Sequence, residues 1–334
     1  MLYMQNLLAK IEEKKKQLDA HQPFELNLTK NLQEWFKIEL TYTSNAIEGN
    51  TLSRAETALV VEKDLTIGGK TLNEHLEAIN HAAAFELVMD LVTKAKTDLT
   101  ENTILDLHRL ILQKIDDNNA GRYRSVLVRI AGSSVIMPNP LKVPQLMAEF
   151  IIWLNKQRID EMNLVTLAAE AHLKLVSIHP FVDSNGRTAR LLMNLILMQA
   201  GHPPVIILKE ERERYIDAIE KTQLGGSRAD YLNLIYTAVE RSCDIYLSAL
   251  ENREQEKTLS QKELLKIGEL AKLTNESVAT IRHWTKAGLI EVKAYSEGGY
   301  QLYEQKQVKT IEQIRQLQNQ KRLTLTEIEQ ILKR

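Results

Sequence analysis

Apolar residues recur at three- and four-residue steps through most of this 334-residue chain, and that period commits it to helices packed on helices. From about Asn31 to Glu48, the residues Leu32, Trp35, Phe36, Leu40, Thr43 and Ile47 follow the period, and Gly49 supplies the stop. The same pattern predicts helices over about 72–95, 103–114, 144–155, 164–178, 186–200 and 229–250. Gly (13) and Pro (7) are too scarce to break these runs often, so the expected fold class is mainly α. One stretch departs from it. Between Asn118 and Pro140, Val126, Leu127, Val128, Ile130, Val135 and Ile136 flank Gly132-Ser133-Ser134, which predicts a β-hairpin over about 126–138, closed by Pro138 and Pro140.

The length suits two or three domains. Lys+Arg (43) and Asp+Glu (44) nearly balance, which excludes a wholly basic nucleic-acid coat and a polyacidic disordered chain. The balance is uneven along the chain. From Gln255 onward there are 14 Lys+Arg against 10 Asp+Glu, a net of +4, which leaves −5 for the rest. A basic C-terminal part is a hint of a polyanionic partner. The single cysteine, Cys243, excludes an internal disulfide and a Cys-rich zinc site, and reads as a core residue. The N-terminus lacks the pattern of a signal peptide. The longest apolar run, Leu191–Ala200, is half of the roughly 20 residues a membrane span needs. A cytoplasmic protein without membrane contact is expected.

The segment most dense in chemistry is HPFVDSNGRTAR, His179–Arg190. A helix ends at a histidine followed by proline, which forces a turn. Asp183, Ser184, Asn185 and Gly186 then tolerate left-handed backbone and can form an anion-holding nest. A new helix follows with Arg187 and Arg190 stacked three residues apart in its first turns, where positive charge opposes the helix dipole unless an anion offsets it. Nest, helix start and paired arginines describe a phosphate site. His179 supplies a proton acceptor near neutral pH, and Asp183 a hard oxygen ligand suited to Mg²⁺ held jointly with phosphates.

This segment resembles the signature of the Fic family, HPFx(D/E)GNGRxxR, at every specified position but one. The resemblance covers about Thr103–Ala200 well. It implies a helical Fic core with a β-hairpin flap at 126–138, preceded by Gly121-Arg122-Tyr123-Arg124, that docks a target protein. It implies an ATP- and Mg²⁺-dependent nucleotidyltransferase that moves AMP onto a Ser, Thr or Tyr hydroxyl of that target. His179 would take the hydroxyl proton and Asp183 would hold Mg²⁺. Asn185 and Gly186 would cradle the α-phosphate, Arg187 the β-phosphate and Arg190 the γ-phosphate. The departure is Ser184, where the family has Gly. Either the loop accepts Ser184 in an ordinary conformation, or nucleotide binding is altered at a strained residue.

Glu48 closes the Asn31 helix in its last turn, where a carboxylate opposes the dipole and is better placed beside a cation. Ser44 lies four residues before it on the same face. Ser44–Gly49 is similar to the Fic family's inhibitory helix, (S/T)xxxE(G/N). The resemblance implies that Glu48 pairs with Arg190 and keeps the γ-phosphate out. In some relatives the same glutamate aligns a water that removes AMP, so deAMPylation stays open. His172 reads as a packed histidine, and His81, His108 and His202 give no metal spacing.

Residues 264–334 read as a separate unit. A helix over about Ile267–Leu273, a turn at Thr274-Asn275-Glu276, Ser277 as N-cap and a second helix stopped by Gly288 are followed by a ribbon turning at Gly298-Gly299, then helices over about 308–318 and 325–332. IGELAKLT, TIRHWTKAGLI and GGYQLY resemble a MerR-type winged helix-turn-helix. That likeness makes Thr280, Arg282, His283 and Lys286 the exposed DNA-contact candidates, while Ile281 and Trp284 are expected to pack inward. Gln301 stands where the family has an arginine after the wing tyrosine, one phosphate contact fewer. The family's long dimerising helix has no counterpart, so a dimer is expected from the Fic body if one forms.

The expected organisation is an N-terminal helical region (1–100) holding the inhibitory helix (about 31–49), a Fic core (101–250), a linker (251–263) and the winged helix (264–334). The expected function is protein AMPylation, autoinhibited by Glu48. The alternatives are a nucleotide-sensing DNA-binding regulator with a weakened Fic site and a Glu48-dependent deAMPylase.

Overall fold

The computed structural model describes residues 2–94, 99–159, 162–262, 264–295, 300–321 and 323–332. The chain divides into two compact units, Met1–Ala249 and Leu250–Arg334.

The regular elements described in the first unit are all helices. It comprises α1 (Leu2–Ala20), α2 (Leu26–Ile47), α3 (Arg54–Lys63), α4 (Leu72–Thr93), α5 (Glu101–Leu112), α6 (Val143–Ile159), α7 (Leu164–Ile178), α8 (Asn185–Gln199), α9 (Arg212–Gln223) and the part of α10 (Ala229–Lys262) up to Ala249. The segment 251–262, expected as a helix end or linker, continues α10. Local chemistry sets several starts. Ser53 with Glu56, and Thr71 with Glu74, form capping boxes on α3 and α4, and Asn163 caps α7 by accepting from the Val165 and Thr166 N–H groups. The most extensive helix contact is α7 on α8, and α8 also packs on α4 and α5. Helix α8 is the central element. Asn185 and every residue from Arg187 to Leu197 is buried, which explains its all-round apolar character after the first turn.

The expected hairpin is corrected by the structure. Residues 126–138 form no strands; their turn is closed by the Ser133 N–H donating to the Ile130 carbonyl at 3.1 Å. A side chain replaces the ladder. Arg124 is buried and donates through Nη1 to the Val126 carbonyl (3.0 Å) and through Nη2 to the Pro138 carbonyl (2.6 Å), tying the two arms at their root. β-Branched residues favour an extended backbone, but a sheet also needs a paired strand, and none lies beside 126–138 among the described residues.

The second unit contains β1 (Leu265–Lys266), α11 (Ile267–Thr274), α12 (Val278–Lys286), β2 (Ala294–Tyr295), β3 (Gln301–Tyr303), α13 (Gln307–Lys321) and α14 (Leu325–Leu332). The strands order β1-β3-β2, antiparallel, with Leu265 opposite Tyr303 and Ala294 opposite Leu302. Ser277 caps α12 by accepting from the Thr280 N–H, and Gly288 follows the helix at φ +73°. Ile281 and Trp284 are buried with Leu270, Tyr303, Ile311, Ile314 and Ile328. The expected Gly298-Gly299 turn lies outside the described residues. Among the described residues no helix is long and apolar enough to cross a membrane.

Candidate active site

The turn from α7 into α8 is built by its own backbone and by three residues from other elements. His179 ends α7 in the left-handed region (φ +51°), its N–H donating to the Leu175 carbonyl. Asn185 accepts from the Phe181 N–H (2.9 Å) and donates to the Phe181 carbonyl (3.0 Å), which closes the loop on itself. The Asn185 side chain is thereby used structurally, and only its backbone is left for a ligand. Helix α8 has no side-chain cap, so its first N–H groups receive no side-chain hydrogen bond of that kind.

Arg124 reaches this turn as well as the flap, donating through Nε to the His179 carbonyl at 2.7 Å. His108 on α5 stacks flat on Phe181, with ring centroids 3.6 Å apart. The Gly121 N–H donates to its Nδ1 (3.0 Å), so Nε2 carries the proton and donates to the Asp183 carbonyl (3.1 Å). Burial pushes the His108 imidazole down to about 4, so it is neutral in this role.

Ser184 adopts φ +61°, the left-handed alternative of the two left open by the sequence. Its hydroxyl accepts from Arg187 Nη2 at 2.9 Å. Arg187 is buried and also donates through Nη1 to Glu77 on α4 at 2.9 Å. Its Nε is buried and has no hydrogen-bond partner among the described residues. Asp183 is different: its carboxylate is 68 % exposed and stands 3.8 Å from Arg187 Nη2.

Arg190, buried one turn further on, faces the end of α2. Its Nε donates to Ser44 Oγ (2.9 Å), and its Nη2 to the Ser44 carbonyl (2.9 Å) and to Glu48 Oε1 (2.7 Å). Burial would raise the Glu48 carboxyl, but the Arg190 charge and hydrogen bond hold it below the ordinary carboxylate range. The end of α2 is anchored independently. Asn45 donates to the Glu77 carbonyl, Asn50 donates to Glu77 Oε2, and Arg212 Nε on α9 donates to the Ile47 carbonyl. Gly186 leaves room for this contact, since a Cβ there would lie 2.5 Å from Glu48 Oε1 and displace the carboxylate.

A cleft of about 160 Å³ is lined by His179, Gly186, Arg190 and Glu48, with Ile130 and Ser133 of the flap and Tyr215, Ile219 and Glu220 of α9, while Ser44, Asp183, Ser184 and Arg187 lie outside its lining. The His179 Nδ1 is sealed from solvent, which leaves Nε2 as the nitrogen open to a substrate. Burial lowers the His179 pKa, so the imidazole is the free base at neutral pH. The flap tip is fastened to α9: Ser133 Oγ and the Ser134 N–H donate to Glu220 Oε1 at 2.9 and 3.0 Å.

The structure thus brings together Ser44, Glu48, His179, Asp183, Ser184, Asn185, Gly186, Arg187 and Arg190. Sequence reading names Arg124 and His108 without a role at this turn and does not single out Glu77 or Tyr215; all four come from other elements and carry no spacing signal. In the second unit Arg282, His283 and Lys286 are exposed. Thr280, expected there too, is half-buried with its hydroxyl 2.7 Å from Ser277 Oγ. Gln301 accepts from the Tyr303 hydroxyl at 2.8 Å.

Comparison with known proteins places this geometry. A model of the Fic/DOC family matches residues 98–197, and one of the MerR HTH family of regulatory proteins matches residues 265–334. A Culex quinquefasciatus protein named protein adenylyltransferase Fic is 36 % identical over 245 residues, covering 73 % of this chain and 48 % of that one. The chain spans about half the length of the curated relatives it matches. The solved Fic-1 fragment from C. elegans is 30 % identical with a TM-score of 0.69, covering 75 % of this chain and 74 % of that one. A Fic domain containing signaling protein from Bacteroides thetaiotaomicron is 28 % identical with a TM-score of 0.67, covering 74 % and 97 %. The signature turn, the helical body around it and these likenesses agree: the chain belongs to the Fic family.

Proposed function

We propose that this chain is a protein adenylyltransferase that uses ATP and Mg²⁺ and is held inactive by Glu48. The observation that carries it is the Glu48–Arg190 contact beside His179. A buried cation at the start of α8 is covered by one carboxylate, at the place where a phosphate chain would need it. The partnerless buried Nε of Arg187 also fits an anionic ligand. The relatives named protein adenylyltransferase Fic support the same chemistry.

In this reading the α8 N–H groups cradle the α-phosphate, Arg187 meets the β-phosphate, and Arg190 meets the γ-phosphate once Glu48 has moved. Asp183 offers an exposed carboxylate, a donor that suits Mg²⁺ shared with phosphates. Bound there, the ion would offset phosphate charge. A target hydroxyl beside His179 gives its proton to Nε2, and its oxygen bonds to the α-phosphorus. The bond from that phosphorus to the bridging oxygen breaks, and pyrophosphate leaves with the electron pair. Positioning and charge neutralisation supply most of the catalysis. The target is a protein bearing a Ser, Thr or Tyr hydroxyl, docked on 126–138, with the chain itself as one candidate.

The test is transfer from α-phosphate-labelled ATP. Glu48→Gly should raise labelling of the chain or a target at least about tenfold, the loss of one charge-assisted contact. His179→Ala in that background should abolish it. A Glu48-dependent deAMPylase predicts the opposite, loss of AMP removal in Glu48→Gly. If the released chain labels nothing, the proposal fails.

For the second unit we propose DNA contact through α12. The MerR match and the exposed Arg282, His283 and Lys286 support it. Replacing Arg282 and Lys286 with alanine should weaken DNA retention and flatten its salt dependence.

A further inference from the structure

Behind Arg190 runs a buried chain of hydrogen bonds that has a single direction. The Tyr231 hydroxyl lies 2.8 Å from the Ala169 carbonyl oxygen and 2.8 Å from His172 Nδ1. A carbonyl only accepts, so Tyr231 donates to it and accepts from the imidazole Nδ1–H. Burial pushes His172 down to about 3, so the ring is neutral and its lone pair sits on Nε2. That nitrogen accepts from the Tyr215 hydroxyl at 2.7 Å. With its proton committed, the Tyr215 oxygen has only lone pairs for its other neighbour, Arg190 Nη1 at 3.5 Å. Tyr215, His172, Tyr231 and Arg190 are all buried.

The last link is long, and Arg190 is held from the opposite side by Ser44 and Glu48 through Nε and Nη2. When the Glu48 carboxylate leaves, Ser44 still holds Nε and Nη2, and Tyr215 is the acceptor facing Nη1, its orientation set by His172 and Tyr231. A charged donor paired with a fixed, oriented oxygen is held better than by packing alone.

We propose that Tyr215, oriented by His172 and Tyr231, is a positioning residue that keeps the Arg190 guanidinium facing the terminal phosphate of a nucleoside triphosphate once Glu48 is withdrawn. This rests on the reading of the cleft as a triphosphate site. It assigns a task to α9 and α10 residues that lie outside the signature turn.

The experiment measures dissociation constants for ATP and for ADP, both with Mg²⁺, using the full chain carrying Glu48→Gly, with and without Tyr215→Phe. The phenylalanine should weaken ATP about tenfold, the worth of one hydrogen bond to a charged group, and leave ADP within about twofold. Equal weakening of both nucleotides, as from a general structural loss or a contact elsewhere on the nucleotide, overturns the proposal. If the Glu48→Gly chain binds ADP as tightly as ATP, the proposal falls together with the triphosphate reading. If that chain prefers ATP and Tyr215→Phe leaves the preference intact, the proposal falls alone. Tyr215→Phe leaves the His172 Nε2 buried without a donor. Where that prevents folding, the pair Tyr215→Phe and His172→Leu removes donor and acceptor together and is held to the same ATP-to-ADP ratio.

Discussion

Gly186 and Glu48 are in contact across the helix boundary: a methyl group on Gly186 would stand 2.5 Å from Glu48 Oε1 and 3.0 Å from Arg190 Nη1. The glycine lets α2 close on α8. Gly186→Ala should therefore destabilise the chain by about 1–2 kcal/mol, the scale of overpacking a tight contact. In a Glu48→Gly background the same change should cost less, because the nearer obstacle is gone. Chemical denaturation of the four chains measures the coupling, and equal costs in both backgrounds would contradict it.

Ser184 holds a left-handed conformation while accepting from Arg187. Two substitutions separate these effects. Ser184→Ala keeps the backbone strain and loses the hydrogen bond, so it should lower stability by about 1–2 kcal/mol. Ser184→Gly loses the same bond but relieves the strain, so it should exceed Ser184→Ala by about 1 kcal/mol. Melting temperatures of the pair would read this difference directly.

Arg124 ties the His179 carbonyl to both arms of the flap. Arg124→Ala should open the segment 126–138 to limited proteolysis and reduce transfer by the Glu48→Gly chain at least tenfold, about 1.4 kcal/mol. Arg124→Lys should not restore either property, since one ammonium cannot span three carbonyls fixed around a planar fork. Full rescue by lysine would show that charge alone suffices.

Three buried histidines make the fold acid-sensitive. Burial pushes His81 and His172 down to about 3 and His108 to about 4, against an ordinary value of 6.5. Their folded pKa values are depressed, so the unfolded chain binds more protons below pH 6.5. Stability is full above that pH and falls as acid is added, down toward pH 3–4. By pH 5 each histidine should cost on the order of 2 kcal/mol. Unfolding midpoints between pH 8 and 5 would check the slope, and a flat profile would refute it.

What the sequence disclosed follows from where the information is stored. The turn at His179–Arg190 and the Ser44–Glu48 pair were legible because each is a contiguous pattern with fixed spacing. Helix α8 was legible because its apolar residues repeat almost without interruption. Helix α9 was not read, because only Tyr215, Ala218 and Ile219 are buried along its charged length. Helix α2 starts at Leu26 and not near Asn31, and the buried Leu28, one turn before Leu32, carries the apolar repeat into its first turn. The β-branched residues of 126–138 predict a hairpin because they favour an extended backbone, whereas a ladder also needs a partner, and no strand forms there. Arg124, Glu77 and His108 reach the turn from sites 55 or more residues away in sequence, a juxtaposition that only the packed fold creates.

Arg190 grips α2 at three points, and only one of them is Glu48. The two bonds to Ser44 can survive when the carboxylate swings aside. On the proposed reading, admitting a nucleotide needs a rotation of the Glu48 side chain and no detachment of α2 from Arg190. In that reading, Glu48 and the terminal phosphate then compete for one guanidinium, and the strength of inhibition is set by that competition at equilibrium.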